Sequence, residues 1–82
     1  MDIDMIRTKM KEMLEENGLT VFPGEEDTAL ELDSLRLISI IVAMENTFDI
    51  EVPDMYLSNI MLASYNDFCE LVISLCAENK LL

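Results

Sequence analysis

Apolar residues recur at helical spacing in separated stretches of the chain. They do so from Asp2 to Asn17, after which Gly18 provides a C-terminal stop. A second helix is predicted from Ser34 to Phe48, a short helical turn within residues 54–61, and a last helix from about Ser64. No stretch shows the strict alternation that is typical of strands. The pattern therefore predicts one all-α domain over residues 1–82, a small four-helix bundle of three main helices plus a short third helix.

The second helix carries two apolar stripes. The first has the spacing that normally packs into a core, and its residues are Leu37, Ile40, Ile41, Met44 and Phe48. The second stripe lies to the side of the first and consists of Leu35, Ile38 and Val42. Because one stripe is enough for the core of so small a domain, the second is either covered by another element or left for a partner.

The last helix and the long connection before the second helix also carry local signals. Ser64 and Asp67 have the spacing of a capping box. The main apolar stripe of the last helix is Tyr65, Phe68, Val72 and Cys76, with Leu71 and Leu75 beside it. The connection over residues 19–33 contains Pro23-Gly24 and an acidic run. Its expected apolar anchors are Leu19, Val21, Phe22, Ala29, Leu30 and Leu32.

The chain is strongly acidic, with 17 Asp and Glu against 5 Lys and Arg among 82 residues and a net charge of −12. Such a surface repels phosphate backbones and anionic lipid headgroups, so binding to nucleic acid or to a membrane surface is disfavoured. It favours encounters with partners that present basic docking patches. Acidity is also an ordinary means of keeping a small domain soluble.

Cysteine and histidine usage bounds the possible chemistry. Cys69 and Cys76 are seven residues apart, which on one helix is a rise of about 10 Å and too far for a disulfide. The chain has no histidine, and nothing indicates a metal site. We interpret both cysteines as small core or half-buried hydrophobes in a reducing compartment. Because the N-terminal segment has no long apolar run, we expect neither signal peptide nor membrane anchor, and a cytoplasmic location. We also expect a monomer.

Catalysis by this chain is not expected. Without histidine, the Ser-His-Asp and Cys-His arrangements are excluded, and there is no glycine-rich phosphate loop.

Ser34 stands at the predicted start of the second helix. It is either the N-cap, which stabilises a helix by about 1 kcal/mol, or Asp33 is the cap and the hydroxyl of Ser34 points outward.

The segment from Leu30 to Asp54 resembles the acyl carrier protein family. The shared features are Leu30, the motif Asp33-Ser34-Leu35, then Ala43, Glu45 and Phe48 in helical register, and the exit sequence Phe48-Asp49-x-Glu51-Val52-Pro53-Asp54. The three-residue motif is weak by itself, and the extended match is much stronger. The resemblance covers essentially the whole chain and implies a helical bundle of acyl-carrier-protein type.

By this resemblance, Ser34 is the attachment site of a 4′-phosphopantetheine arm and Asp33 is its neighbour in the motif. The arm comes from coenzyme A through a separate, magnesium-dependent phosphopantetheinyl transferase. Its thiol holds acyl or related intermediates as thioesters, and the carrier presents them to loading and processing enzymes without catalysing a reaction. The resemblance implies partner contacts at Leu35, Arg36, Ile38, Val42 and Glu45.

Several positions depart from the family pattern. Carriers of fatty acid synthesis typically have acidic residues just after the motif, where this chain has Arg36 and Ser39. Glu31 replaces a usual glycine, and Leu32 is bulkier than the common alanine. One hypothesis is therefore a discrete aminoacyl, peptidyl or polyketide carrier of a dedicated pathway, and the alternative is an ordinary fatty acid carrier. A rival from another class is an unmodified acidic helical interaction module, in which Ser34 is a plain cap.

Overall fold

The computed structural model describes residues 2–30, 32–53 and 63–78, and within them the chain forms three helices. Helix α1 spans Ile3–Glu16, α2 spans Ser34–Phe48 and α3 spans Tyr65–Glu78, and each helix contacts the other two. The all-α class and the three main helices are confirmed. The short helix predicted within residues 54–61 lies outside the described residues.

Helix α1 begins and ends with local signals that the sequence already contains. The carboxylate of Asp2 is the N-cap and accepts a 2.8 Å hydrogen bond from the amide of Met5. At the other end Gly18 has a φ of +83°, a conformation that L side chains rarely adopt. The amide of Leu19 donates to the carbonyl of Leu14, which closes a Schellman motif and brings half-buried Leu19 against the core.

The long connection before α2 is anchored by fewer side chains than predicted. The anchors that are buried or half-buried against the core are Leu19, Val21, Leu30 and Leu32. Phe22 is 58% exposed and the side chain of Ala29 is exposed, so the prediction was wrong for these two residues. Val21 takes the core position, and its neighbour Phe22 begins the Pro23-Gly24 turn at the surface. Ala29 does hold the connection, but through a backbone bridge to Ser64.

Backbone hydrogen bonds join the connection to the start of α3. The amide of Leu30 donates to the carbonyl of Ala63 over 2.9 Å, and the amide of Asn66 donates to the carbonyl of Glu26 over 3.0 Å. The side-chain amide of Asn66 also donates to Asp27 over 2.7 Å. Because the first amides of a helix lack partners within it, the connection satisfies one of them from outside. The connection before α2 is therefore ordered by contacts far away in the sequence.

The core consists of the predicted faces of α2 and α3 together with one face of α1. All five residues of the first α2 stripe are buried, and so are the six residues named for α3. The capping box is also confirmed: the amide of Ser64 donates to the Asp67 carboxylate over 2.9 Å, and the amide of Asp67 donates to the Ser64 hydroxyl over 3.2 Å. Each fully buried large side chain contributes about 1.5–3 kcal/mol relative to its exposed state.

Both cysteines are free and buried. Burial is the main cause that raises the pKa of the Cys69 thiol, and it also raises the pKa of the Cys76 thiol. Because the thiolate is the reactive form, both residues are expected to be inert. They serve as small core side chains, which is one of the two environments expected for them.

Candidate functional site

The start of α2 places Ser34 in an exposed position. Asp33 has extended backbone angles, φ −85° and ψ 172°, and its carboxylate accepts a 2.8 Å hydrogen bond from the amide of Arg36. Asp33 is therefore the N-cap, and Ser34 is the first residue inside the helix. This resolves the choice that the sequence left open. The hydroxyl of Ser34 is not used for capping, and Ser34 is exposed to solvent.

The electrostatics of this helix end favour negative charge. Asp33 accepts from the amides of Arg36 and Leu37, the latter through its carbonyl over 2.9 Å. Among the described residues no group accepts from the amides of Ser34 and Leu35. The positive end of the helix dipole adds to the effect of these amides. An anionic group on the Ser34 oxygen would lie at that end.

The second α2 stripe is exposed. Leu35 is 80% exposed, Ile38 57% and Val42 49%, and all three lie within about two turns of Ser34. Of the two outcomes that the sequence allowed, the structure shows that the described parts of the chain leave this stripe to solvent. Ser39 lies on the same helix, and its hydroxyl donates to the carbonyl of Leu35 over 3.1 Å.

Glu45 differs from the other predicted contact residues because it makes an internal hydrogen bond. It is half-buried, and its Oε2 accepts a 3.0 Å hydrogen bond from the amide of Val52. The chain reaches that point by leaving α2 through Asp49, which has a left-handed conformation with φ 53°. The amide of Ile50 then donates to the carbonyl of Glu45. Glu45 therefore fastens the segment that follows the helix, a role that spacing along the sequence did not indicate.

Arg36 is exposed and reaches towards the end of α1. Its Nη2 atom lies 3.8 Å from the position that a Cβ atom would take on Gly18. Helix α1 has no basic residue in its last turn, and Glu15 and Glu16 are found there instead. The guanidinium group is therefore near the negative end of α1, while its backbone belongs to the positive end of α2.

A polar cluster away from Ser34 joins α1, the connection and α3. The Tyr65 hydroxyl donates to the carbonyl of Arg7 over 2.7 Å, and the Arg7 guanidinium lies 5.2 Å from the centre of the Tyr65 ring. The guanidinium also donates to Asn66, which in turn donates to Asp27. Burial is the main cause that raises the pKa of Tyr65 to about 12. Sequence reasoning missed this cluster, because its members are far apart along the chain.

No group of three or more His, Cys, Asp or Glu residues in the described ranges could hold a metal ion.

None of the helices that the structure describes has the length and apolar character needed to cross a membrane.

Comparison with known proteins gives one family. A family model described as a phosphopantetheine attachment site matches residues 6–72, which is most of the chain and includes the start of α2. The searches of curated proteins and of solved structures gave no match.

Proposed function

Because this chain belongs to the phosphopantetheine attachment-site family, we propose that Ser34 carries the 4′-phosphopantetheine arm. Domains of this family are carriers that hold the arm covalently and are not enzymes, so the chain is a phosphopantetheine-bearing carrier. The observation that supports Ser34 is its position as an exposed first residue of α2, with its hydroxyl released from capping by Asp33. The Asp33 carboxylate caps α2 by accepting from the Arg36 amide, and this leaves the Ser34 hydroxyl available.

The chemistry of attachment suits this position. The Ser34 oxygen attacks the phosphopantetheine phosphorus of coenzyme A, an O–P bond forms, and the pyrophosphate bond breaks with release of adenosine 3′,5′-bisphosphate. The hydroxyl proton passes to a base of the phosphopantetheinyl transferase, which supplies the catalytic groups and Mg²⁺. The product is a phosphodiester whose negative charge lies near the amides of Ser34 and Leu35, where the helix dipole stabilises it.

We further propose that the cargo is an acyl group held as a thioester on the arm. Tethering the cargo presents it to successive enzymes at high effective concentration. The exposed stripe of Leu35, Ile38 and Val42 supplies an apolar surface beside the arm, on which the transferase and the processing enzymes dock. The net charge of −12 favours encounter with basic surfaces and, through mutual repulsion, a monomeric carrier. We propose that it acts in the cytoplasm, a reducing compartment in which its two free cysteines persist.

The charge of α2 supports a second candidate, a carrier of a dedicated pathway rather than of general fatty acid synthesis. Arg36 and Ser39 are exposed at positions where carriers of fatty acid synthesis typically have acidic residues. Glu45 is an acidic residue as expected, but its carboxylate accepts a hydrogen bond from the amide of Val52. A discrete aminoacyl, peptidyl or polyketide carrier is therefore the second candidate. The unmodified interaction module remains the outcome if Ser34 takes no arm.

The test is the intact mass of the purified protein after incubation with coenzyme A, Mg²⁺ and a broad-specificity phosphopantetheinyl transferase. We expect a gain of one phosphopantetheine unit. Ser34→Ala should abolish the gain, whereas Ser39→Ala, which removes an exposed hydroxyl from the same helix, should leave it unchanged.

A Ser34→Ala protein that still gains the unit would show that another residue carries the arm. If several transferases leave the folded native protein unmodified, the carrier proposal is wrong and the interaction module replaces it. Circular dichroism of each sample confirms that the helices are present.

A further inference from the structure

Helix α2 carries a single carboxylate, in a chain that is otherwise rich in them. Acidic residues are 17 of the 82, yet Glu45 is the sole acid among the 15 residues of α2. The other charged residue of the helix is Arg36, whose guanidinium lies beside Gly18 at the end of α1. The negative charge that this helix can offer to a partner is therefore concentrated in one side chain.

Glu45 lies on the same side of α2 as the attachment site. An α-helix turns by about 100° per residue, so Ile38 and Glu45 are rotated from Ser34 by only about 40° and about 20°. Glu45 follows Ser34 by 11 positions, which is a rise of about 16 Å. A partner that meets the arm at Ser34 and covers the exposed side chain of Ile38 therefore reaches Glu45 at the far end of the same face.

The Glu45 carboxylate has one engaged oxygen and one available oxygen. Its Oε2 accepts from the Val52 amide over 3.0 Å, while no donor within the described ranges reaches Oε1. A lysine or arginine side chain of a partner can donate to Oε1, and a charge-assisted hydrogen bond is about twice as strong as a neutral one. The net charge of −12 favours the approach of such a basic surface.

We propose that a lysine or arginine of the partner enzyme docks on Glu45, about 16 Å along α2 from the arm, and that this contact loosens the segment over residues 50–53. The proposal rests on the carrier function above and specifies how the partner contacts α2. The cation draws the negative charge of the carboxylate towards Oε1, which makes Oε2 a weaker acceptor for the Val52 amide. Because Ile50 and Val52 are buried, docking at the surface is thereby coupled to the packing of the core after α2.

The first test measures how the unmodified carrier binds a phosphopantetheinyl transferase without coenzyme A, so that no arm is transferred. Isothermal titration calorimetry gives the dissociation constants of the native carrier, Glu45→Gln and Glu12→Gln. Both substitutions remove one negative charge, and Glu12 is exposed on α1. We expect Glu45→Gln to weaken binding about 10-fold, which corresponds to about 1.4 kcal/mol. Glu12→Gln should change it by less than about 2-fold, because a distant exposed charge is screened by salt.

The second test measures amide hydrogen exchange in the native carrier, free and bound to the transferase. The Val52 amide donates to the Glu45 carboxylate, whereas the Ile50 amide donates to the backbone carbonyl of the same residue and is the internal reference. The ratio of the exchange rate at Val52 to that at Ile50 should rise about 3-fold on binding, because the hydrogen bond to the charged group is weakened. With Glu45→Gln at saturating transferase, the ratio should stay constant.

Equal affinities of the native carrier and Glu45→Gln for a transferase that loads Ser34 would overturn the docking contact. An unchanged ratio of exchange rates in the bound native carrier would overturn the coupling. Glu45→Gln is expected to fold, since glutamine keeps an acceptor for the Val52 amide. If it does not fold, the exchange ratio of the native carrier decides, because it needs no variant. If no transferase loads Ser34 in the separate mass experiment, the carrier function itself is refuted, whereas loading together with equal affinities refutes this proposal alone.

Discussion

The hydrogen bond between Glu45 and Val52 gives the sharpest prediction about the fold near the site. The Glu45 carboxylate accepts from the Val52 amide over 3.0 Å in a partly buried position. Val52 and Ile50 are both buried, so this bond holds two core residues that follow α2. A net hydrogen bond to a charged group is worth about 1.5–3 kcal/mol. Glu45→Ala removes the bond and recovers a few tenths of that through the higher helix propensity of alanine.

We therefore expect Glu45→Ala to lower the free energy of unfolding by about 1–2.5 kcal/mol. For a domain of this size each kcal/mol lowers the melting temperature by about 4–8 °C. Glu45→Gln keeps an uncharged acceptor and should lose about half as much. The matched control is Glu12→Ala in α1, where the side chain is exposed and the same gain in propensity applies, with an expected change within about 0.5 kcal/mol.

Two measurements check this prediction. Thermal unfolding followed by circular dichroism gives the stability of each variant, and amide hydrogen exchange reports on Val52 directly. Exchange at the Val52 amide should accelerate in Glu45→Ala and stay unchanged in Glu12→Ala, after correction for global stability. If Glu45→Ala and Glu12→Ala have equal stability and equal exchange at Val52, the bond does not fasten this segment. Glu45 would then return to the docking role that the resemblance implies.

Three further predictions concern the caps and the buried phenol. Asp33→Ala should lower the free energy of unfolding by about 1 kcal/mol through loss of the α2 cap, and an unchanged denaturant midpoint would refute the capping role. In the capping box of α3, the losses of unfolding free energy caused by Ser64→Ala and Asp67→Ala should be non-additive, because either change breaks the reciprocal pair of hydrogen bonds. A double-mutant cycle in which the two losses add within error would contradict this. Because the pKa of Tyr65 is raised from 10.0 to about 12, the unfolded chain loses its phenolic proton first, and stability should fall as the pH rises from about 10 to about 12. Tyr65→Phe should weaken the pH dependence of stability, measured by denaturant titrations at fixed pH values. Some dependence should remain, because the raised pKa values of the two buried thiols act in the same direction. A pH profile identical to that of the native protein would refute the assignment to Tyr65.

The extent of α2 and the capping at both ends of α1 could be predicted from the sequence because their causes are local. A cap, a glycine stop and the residue that each contacts lie within five positions of one another, as with Asp2 and Met5 or Gly18 and Glu15. The capping box of Ser64 and Asp67 is local in the same sense. Helical periodicity likewise identifies the faces of a helix without knowledge of what covers them.

The sequence also supplied the candidate attachment site, through the motif at Ser34 and its extended resemblance. It could not decide whether Asp33 or Ser34 is the cap, because both residue types favour that position. The backbone angles of Asp33 and its bond to the amide of Arg36 resolve this. That result matters for function, since it leaves the hydroxyl of Ser34 exposed.

Only the tertiary structure decided which apolar surfaces are covered and which distant groups meet. The two stripes of α2 have similar composition. The first is buried and the second is exposed, and this difference depends on where α1 and α3 pack against the helix. Phe22 and Val21 are equally apolar neighbours, yet only Val21 reaches the core. Hydrogen bonds join residues from 7 to 59 positions apart along the chain. They connect Glu45 with Val52, and Arg7 through Asn66 with Asp27. Such contacts depend on the folded path of the chain, which no local pattern of residues encodes.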